Sequence, residues 1–242
     1  MSGFKLYTNS HKRIWDFLHK EIERHKRTRK PDVPRDVMDV YLNVLESSDT
    51  KPESFSEDQL LATCMDMFMA GSETTSNTLS FCFLYLILNP EILISFSLPY
   101  VECVVMESLR MFGGRAFTVP HRALRDTSLS GYHIPKDVLV VGNLYGSMLQ
   151  EGCGFDEPEK FRPERFLKNG KISLPDGFLP FGLGKHRCLG ESLARANIFL
   201  FVATMMQKFT FSIVPEHPPT TEWSDGVTPG PRPFKARAKP RL

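Results

Sequence analysis

This chain of 242 residues predicts a mainly α protein with small β-sheets, and three observations carry that reading. Residues 57 to 88 form a long, proline-free segment that is apolar nearly all round, and ESLARANIFLFVATMMQKF, starting at Glu191, contains neither glycine nor proline. Both read as helices. Between them, residues 116 to 149 alternate apolar with polar and β-branched residues, with turn signals at Ser130-Gly131 and around Pro135-Lys136-Asp137. That pattern predicts short strands. With 41% hydrophobic and 24% charged residues the chain can bury one sizeable core, and a net charge of +2 argues against nucleic-acid or strongly acidic partners. Five cysteines, at 64, 82, 103, 153 and 188, are odd in number and lack a C-x-x-C pair, which excludes a disulfide framework or zinc ribbon and points to a reducing compartment.

The opening MSGFKLYTNSHKRIWDFLHKEIERHK is polar and helical, and the basic run His25 to Lys30 reads as the solvated end of an amphipathic helix, although it could touch anionic lipid or a redox partner. Within residues 57 to 88 lies AGSETTSN, residues 70 to 77, where a mid-helix glycine costs about 1 kcal/mol relative to alanine. Its hydroxyls compete for backbone carbonyls, so the helix is expected to distort into a local groove there. LSFCFLYLIL is only ten residues long, and Glu73 with its polar neighbours prevents extension to the roughly 18 that a membrane span requires.

Downstream, PYVECVVMESLRMF predicts a helix over about 99 to 112 that carries Glu107 and Arg110 three residues apart. On a surface such a pair contributes only tenths of a kcal/mol. The segment FRPERF, residues 161 to 166, holds Arg165. Finally FGLGKHRCLGE, residues 181 to 191, sets a single thiol, Cys188, among three glycines and three basic side chains just before a helix. Glycines let the backbone pass close to a flat ligand, and the N-terminal N–H groups and helix dipole favour an anion. A thiolate held this way can ligate a metal.

These motifs, in this order, resemble those of the cytochrome P-450 superfamily, the haem-thiolate monooxygenases. Phe181, Gly184, His186, Cys188 and Gly190 fill the family's Phe-x-x-Gly-x-[Arg/His]-x-Cys-x-Gly loop, which implies that Cys188 is the axial ligand of haem b and that the five residues contact the cofactor. Residues 70 to 75 resemble the family's segment in the helix crossing the haem face. That implies a hydrogen bond from Thr74 on the oxygen-binding side, a proton relay through Glu73, and Ala70 facing substrate. The resemblance further implies a structural network of Glu107, Arg110 and Arg165, a propionate contact from His121, and substrate-facing Phe117, Thr118 and Val119.

The implied reaction is insertion of one oxygen atom from O2 into a lipophilic substrate, with electrons from an NADPH-dependent reductase. The implied location is the cytoplasmic face of the endoplasmic reticulum membrane. The resemblance covers nearly all of residues 1 to 242 as a single partial domain, yet only the C-terminal half of a family member. The chain has no apolar anchor of its own, which would leave it cytoplasmic. It also departs from the family where only ILISFS joins Asn89-Pro90-Glu91 to Leu98-Pro99-Tyr100, and in QEGCGFDEPEKF, residues 150 to 161. A truncated splice form or an incomplete gene model would explain the missing half and the short connection. The expectation is a monooxygenase domain inactive in this truncated form, the alternative being a non-enzymatic fragment that does not retain haem.

Two further classes find less support. A cysteine hydrolase needs a base that meets the sulfur in space, and GLGKHR departs from a dinucleotide fingerprint by placing Arg187 where glycine is needed.

Overall fold

The computed structural model describes residues 2–47, 55–93, 97–113 and 115–241, and the chain divides into two compact units, Met1–Ser72 and Glu73–Leu242. Helices dominate, and the sheets are small, as the sequence predicts.

In the first unit, α1 (Ser2–Thr28) and α2 (Val37–Glu46) close on the first half of α3 (Glu57–Leu88). Leu18 and Ile22 of α1, Leu42 of α2, and Leu60, Leu61, Cys64 and Met65 of α3 form one buried cluster. The i, i+4 recurrence of these residues gives each helix a single apolar stripe. Asp36 caps α2 by accepting from the N–H groups of Met38 and Asp39. The α1–α2 corner is ionic: Asp39 is fully buried, its carboxylate accepts from Arg35 Nε (2.6 Å) and Nη2 (2.9 Å), and His25 Nδ1 lies 2.8 Å from it. The Arg35 guanidinium holds the Asp39 carboxyl below the usual carboxylate range. The basic run from His25 is a solvated helix end at Lys26, Arg27 and Lys30, which are exposed, whereas His25 is 4% exposed and the Arg29 side chain is buried against Glu46 and Asn43. His25, Asp36 and Asp39 lie close enough to suggest a cation site, but Arg35 already fills that place as the counter-charge.

The second unit contains the rest of α3, then α4 (Leu98–Gly113), α5 (Leu144–Met148) and α6 (Glu191–Lys208). Among the described residues, ten short strands form five antiparallel pairs. β1 (His121–Arg122) pairs with β4 (Leu139–Val140), β2 (Thr127–Leu129) with β3 (Tyr132–Ile134), and β5 (Leu167–Lys168) with β6 (Lys171–Ile172). Near the end, β7 (Phe209–Ile213) pairs with β10 (Ala236–Pro240) in the register Phe211 to Ala238, and β8 (Trp223–Ser224) with β9 (Gly230–Pro231). Ser130 and Gly131 join β2 to β3 with φ of 49° and 84°, a turn in which both central residues are left-handed.

One core spans this unit. Phe81, Leu84 and Leu86 of α3, Val101, Val104 and Leu109 of α4, and Ile198, Val202 and Met206 of α6 lie within it. The last three recur every fourth residue, so α6 buries one face and leaves the other to solvent.

Three expectations need correction or a boundary. Residues 70 to 77 remain α-helical within an unbroken α3. Ser72 and Thr78 donate to the carbonyls of Phe68 and Thr74, at 2.6 and 2.8 Å, without displacing the helix. Residues 144 to 148 are helical rather than extended, because Asn143 caps them by accepting from Tyr145 N. Of the short connection between Glu91 and Leu98, residues 94–96 lie outside the described residues.

Candidate functional site

The Glu107–Arg110 pair is no surface ion pair. Both residues are fully buried, and Arg110 forks onto the carboxylate with Nε at 2.7 Å from Oε2 and Nη2 at 2.8 Å from Oε1. Oε1 also accepts from the Arg162 backbone N–H at 2.8 Å and from Arg165 Nε at 3.1 Å. Arg110 Nη1 donates to Met148 O at 2.6 Å, and Arg165 Nη1 donates to Asp156 O at 2.8 Å. Burial lowers the Arg165 pKa, and the Glu107 carboxylate opposes that shift. One carboxylate and two guanidiniums thus tie α4, the end of α5 and the 156–165 loop together, with Phe155 beneath both cations at 5.2 and 5.9 Å.

From this brace the chain runs through β5 and β6 to the Cys188 loop. Gly182 and Gly184 adopt φ of 74° and 76°, which L side chains rarely take, and a Cβ on Gly184 would meet open space. The Cys188 N–H donates to Phe181 O at 2.8 Å, and the Arg187 N–H to Gly184 O at 3.3 Å, so the loop closes on itself. Gly190 caps α6, and Cys188, three residues before the helix, is exposed. The apolar side chains beside it face outward too, Leu183 at 72% and Leu189 at 86% exposure.

His121, on β1, meets this loop: its ring lies 5.4 Å from that of His186, edge on at 71°. Two imidazoles from distant parts of the sequence thus stand together at the loop that carries Cys188. Among the described residues no imidazole hydrogen-bonds the Cys188 sulfur, so the arrangement lacks the dyad of a cysteine hydrolase.

A single family accounts for both the brace and the loop. The cytochrome P-450 family model matches residues 2–94 and 96–237. The chain belongs to the cytochrome P-450 family. Curated relatives include the probable cytochrome P-450 303a1 of Drosophila melanogaster, 41% identical over 96% of this chain and 50% of the relative. The farnesoate epoxidase of Bombyx mori is 34% identical over 99% and 52%, and the human cytochrome P-450 2J2 is 32% identical over 96% and 50%. The chain therefore spans about half the length of the curated relatives it matches, a truncated cytochrome P-450 fold. Members of this family are haem monooxygenases, which use a reductase and act on lipophilic compounds.

The residues of the loop fit haem. An exposed thiol with no competing partner among the described residues suits an axial ligand, the glycines leave room for a flat ring, and two imidazoles with Lys185 and Arg187 suit its carboxylates. Among the other candidates, Glu73 is exposed and Thr74 half-buried on α3, and Ala70 is exposed one turn earlier. Phe117 and Val119 are 69% and 79% exposed. Thr118 turns inward instead: its hydroxyl oxygen accepts from Gly142 N at 2.7 Å, and a Cβ on Gly142 would come within 2.8 Å of the Thr118 methyl. Among the described residues no helix is long and apolar enough to cross a membrane.

Sequence reasoning missed two arginines. Arg195 stacks on Phe181 and Phe178, with Cζ 5.0 and 5.7 Å from their ring centres. Arg115 lies between Phe81 and Trp223, at 5.2 and 4.8 Å, and donates to Tyr85 OH at 3.0 Å. The spacing of Glu191 and Arg195 was the available signal for the first, and nothing in the sequence links Arg115 to Trp223.

Proposed function

We propose that this chain is the haem-binding part of a monooxygenase that inserts one oxygen atom from O2 into a lipophilic small molecule, with Cys188 as the thiolate that would ligate the iron of haem b. The meeting of His121 with His186 of the Cys188 loop carries the reading, because two imidazoles gathered at a loop that presents an exposed thiol suit the two carboxylates and the iron of one porphyrin. Bound haem supplies the oxygen activation, which a thiolate ligand biases toward O–O cleavage. The protein's own groups do the rest.

Cys188 presents its sulfur from a loop whose amide is already engaged with Phe181 O. With haem bound, His121 and His186 would hold its carboxylates, while Phe181, Gly184 and Gly190 would line the ring. On α3 the exposed Glu73 carboxylate takes protons from solvent, and Thr74 provides a hydroxyl one residue on. Phe117, Thr118 and Val119 form a substrate side, with Thr118 acting through the backbone it holds at Gly142, and Ala70 is read as substrate-facing on the family resemblance alone. Glu107, Arg110 and Arg165 brace the fold. An NADPH-dependent reductase supplies electrons, and the working enzyme sits on the cytoplasmic face of the endoplasmic reticulum membrane.

As this half-length chain, the protein is expected not to turn over. A second reading, a fragment that does not retain haem, is favoured by the outward-facing apolar side chains Leu183, Leu189 and Leu193. Reconstitution with haem, reduction and exposure to carbon monoxide separates the two. A strongly red-shifted Soret band that disappears in Cys188→Ala supports thiolate ligation, and failure to retain haem establishes the fragment.

A further inference from the structure

We propose that Arg195 is a positioning residue for Cys188, gripping the two arms of the ligand loop at its base; the inference rests on reading Cys188 as the haem ligand. The arm that enters the loop carries Phe178 and Phe181, and the arm that leaves it is the first turn of α6, which carries Glu191. Arg195 holds both. Its guanidinium lies over the rings of Phe181 and Phe178 at 5.0 and 5.7 Å, and its Nε donates to Glu191 Oε1 at 3.0 Å.

The grip has a fixed end. Phe178 is 8% exposed and packs edge on against Phe166, ring centres 4.9 Å apart, and Phe166 is fully buried beside Arg165 of the brace. At the other end, Phe181 is the residue whose carbonyl receives the Cys188 N–H at 2.8 Å. Fixing the Phe181 ring therefore fixes the acceptor that orients the Cys188 backbone, and with it the direction of the sulfur. Arg195 reaches the thiol only through Phe181, so it positions rather than reacts. The planar guanidinium is what the role requires: lysine could keep the Glu191 pair but could not lie flat across two rings.

Hydrogen exchange on the full chain tests this without depending on haem. Arg195→Ala and Arg195→Met are expected to speed exchange of the Cys188 amide by about tenfold, with Arg195→Lys between them and the wild type. Amides of α4 keep their protection, whereas loss of general stability would accelerate both. Unchanged Cys188 exchange in all three variants, or acceleration matched in α4, overturns the proposal. In haem-loaded protein, the variants should shift part of the carbon monoxide complex from the thiolate-type Soret band to an unshifted one. A wild type that shows no thiolate-type band refutes the haem reading alone, because the exchange result still decides whether Arg195 orders the loop.

Discussion

The brace around Glu107 and the loop around Cys188 are built on opposite principles. In the brace the central charges are buried and matched: Glu107 accepts four hydrogen bonds, from Arg110, Arg162 and Arg165, and both guanidiniums also donate to backbone carbonyls. In the loop, residues 183 to 190 are all exposed, and order comes from backbone hydrogen bonds, the left-handed Gly182 and Gly184, and the ring contacts at the base. The brace is complete within this chain. The loop is a presented surface whose exposed thiol, imidazole and leucines suit a ligand rather than one another. Buried charge and exposed surface thus fall in separate regions, and substitutions in the two should fail differently.

The largest effect belongs to the brace. Glu107→Ala leaves Arg110 and Arg165 as uncompensated buried charges, which costs about 3–5 kcal/mol. That is a large share of the roughly 5–15 kcal/mol by which a domain is stable. Denaturant titration should show the cooperative transition lost or moved to much lower midpoint. An unchanged midpoint would mean that the network is relaxed in solution and that the contrast with the loop is false.

A smaller effect is expected at the base of the loop. Gly182 has φ of 74°, and an added Cβ would come no closer than 4.0 Å to Arg187 Cα, so Gly182→Ala meets conformational strain without a clash. The cost is about 1 kcal/mol, and it should appear as faster exchange at residues 182 to 188 more than as a change in midpoint. A midpoint shift as large as that of Glu107→Ala would make the loop part of the core.

The sequence disclosed these regions unequally. α3 was legible to its ends, because a proline-free apolar run bounded by polar segments has few other solutions. His121 and His186 were each read as a cofactor contact and their meeting was not foreseen, whereas the three members of the brace were legible through motifs. Their burial was not, since a Glu-x-x-Arg spacing looks the same on a surface as in a core. The unbroken helix at Ala70–Asn77 escaped prediction because hydroxyls can bond the preceding turn while the helical bonds persist. α5 escaped because five residues are too few for periodicity, leaving only the Asn143 cap as a sign. Arg195 escaped for a different reason. Its ring partners lie upstream, on the far side of the loop, so no local pattern connects them.

The smallest effect on stability is expected at Cys188 itself, and this contrast bears most directly on function. Its side chain is exposed, so Cys188→Ala should change stability by no more than about 0.5 kcal/mol. The buried thiols behave differently: burial pushes Cys82 up to about 12 and Cys103 up to about 11, and Cys64 is also raised. Because the thiolate is the reactive form, these three remain neutral and shielded at neutral pH. Raising the pH to mildly alkaline values keeps it below the shifted range of Cys82 and Cys103. Iodoacetamide should therefore modify Cys188 first, the half-buried Cys153 more slowly, and the buried three only as the chain unfolds. Mass spectrometry of the labelled peptides gives the order. If Cys82 or Cys103 reacted as fast as Cys188 in the folded chain, the core would be open to solvent, and the division between a closed brace and a presented loop would not hold.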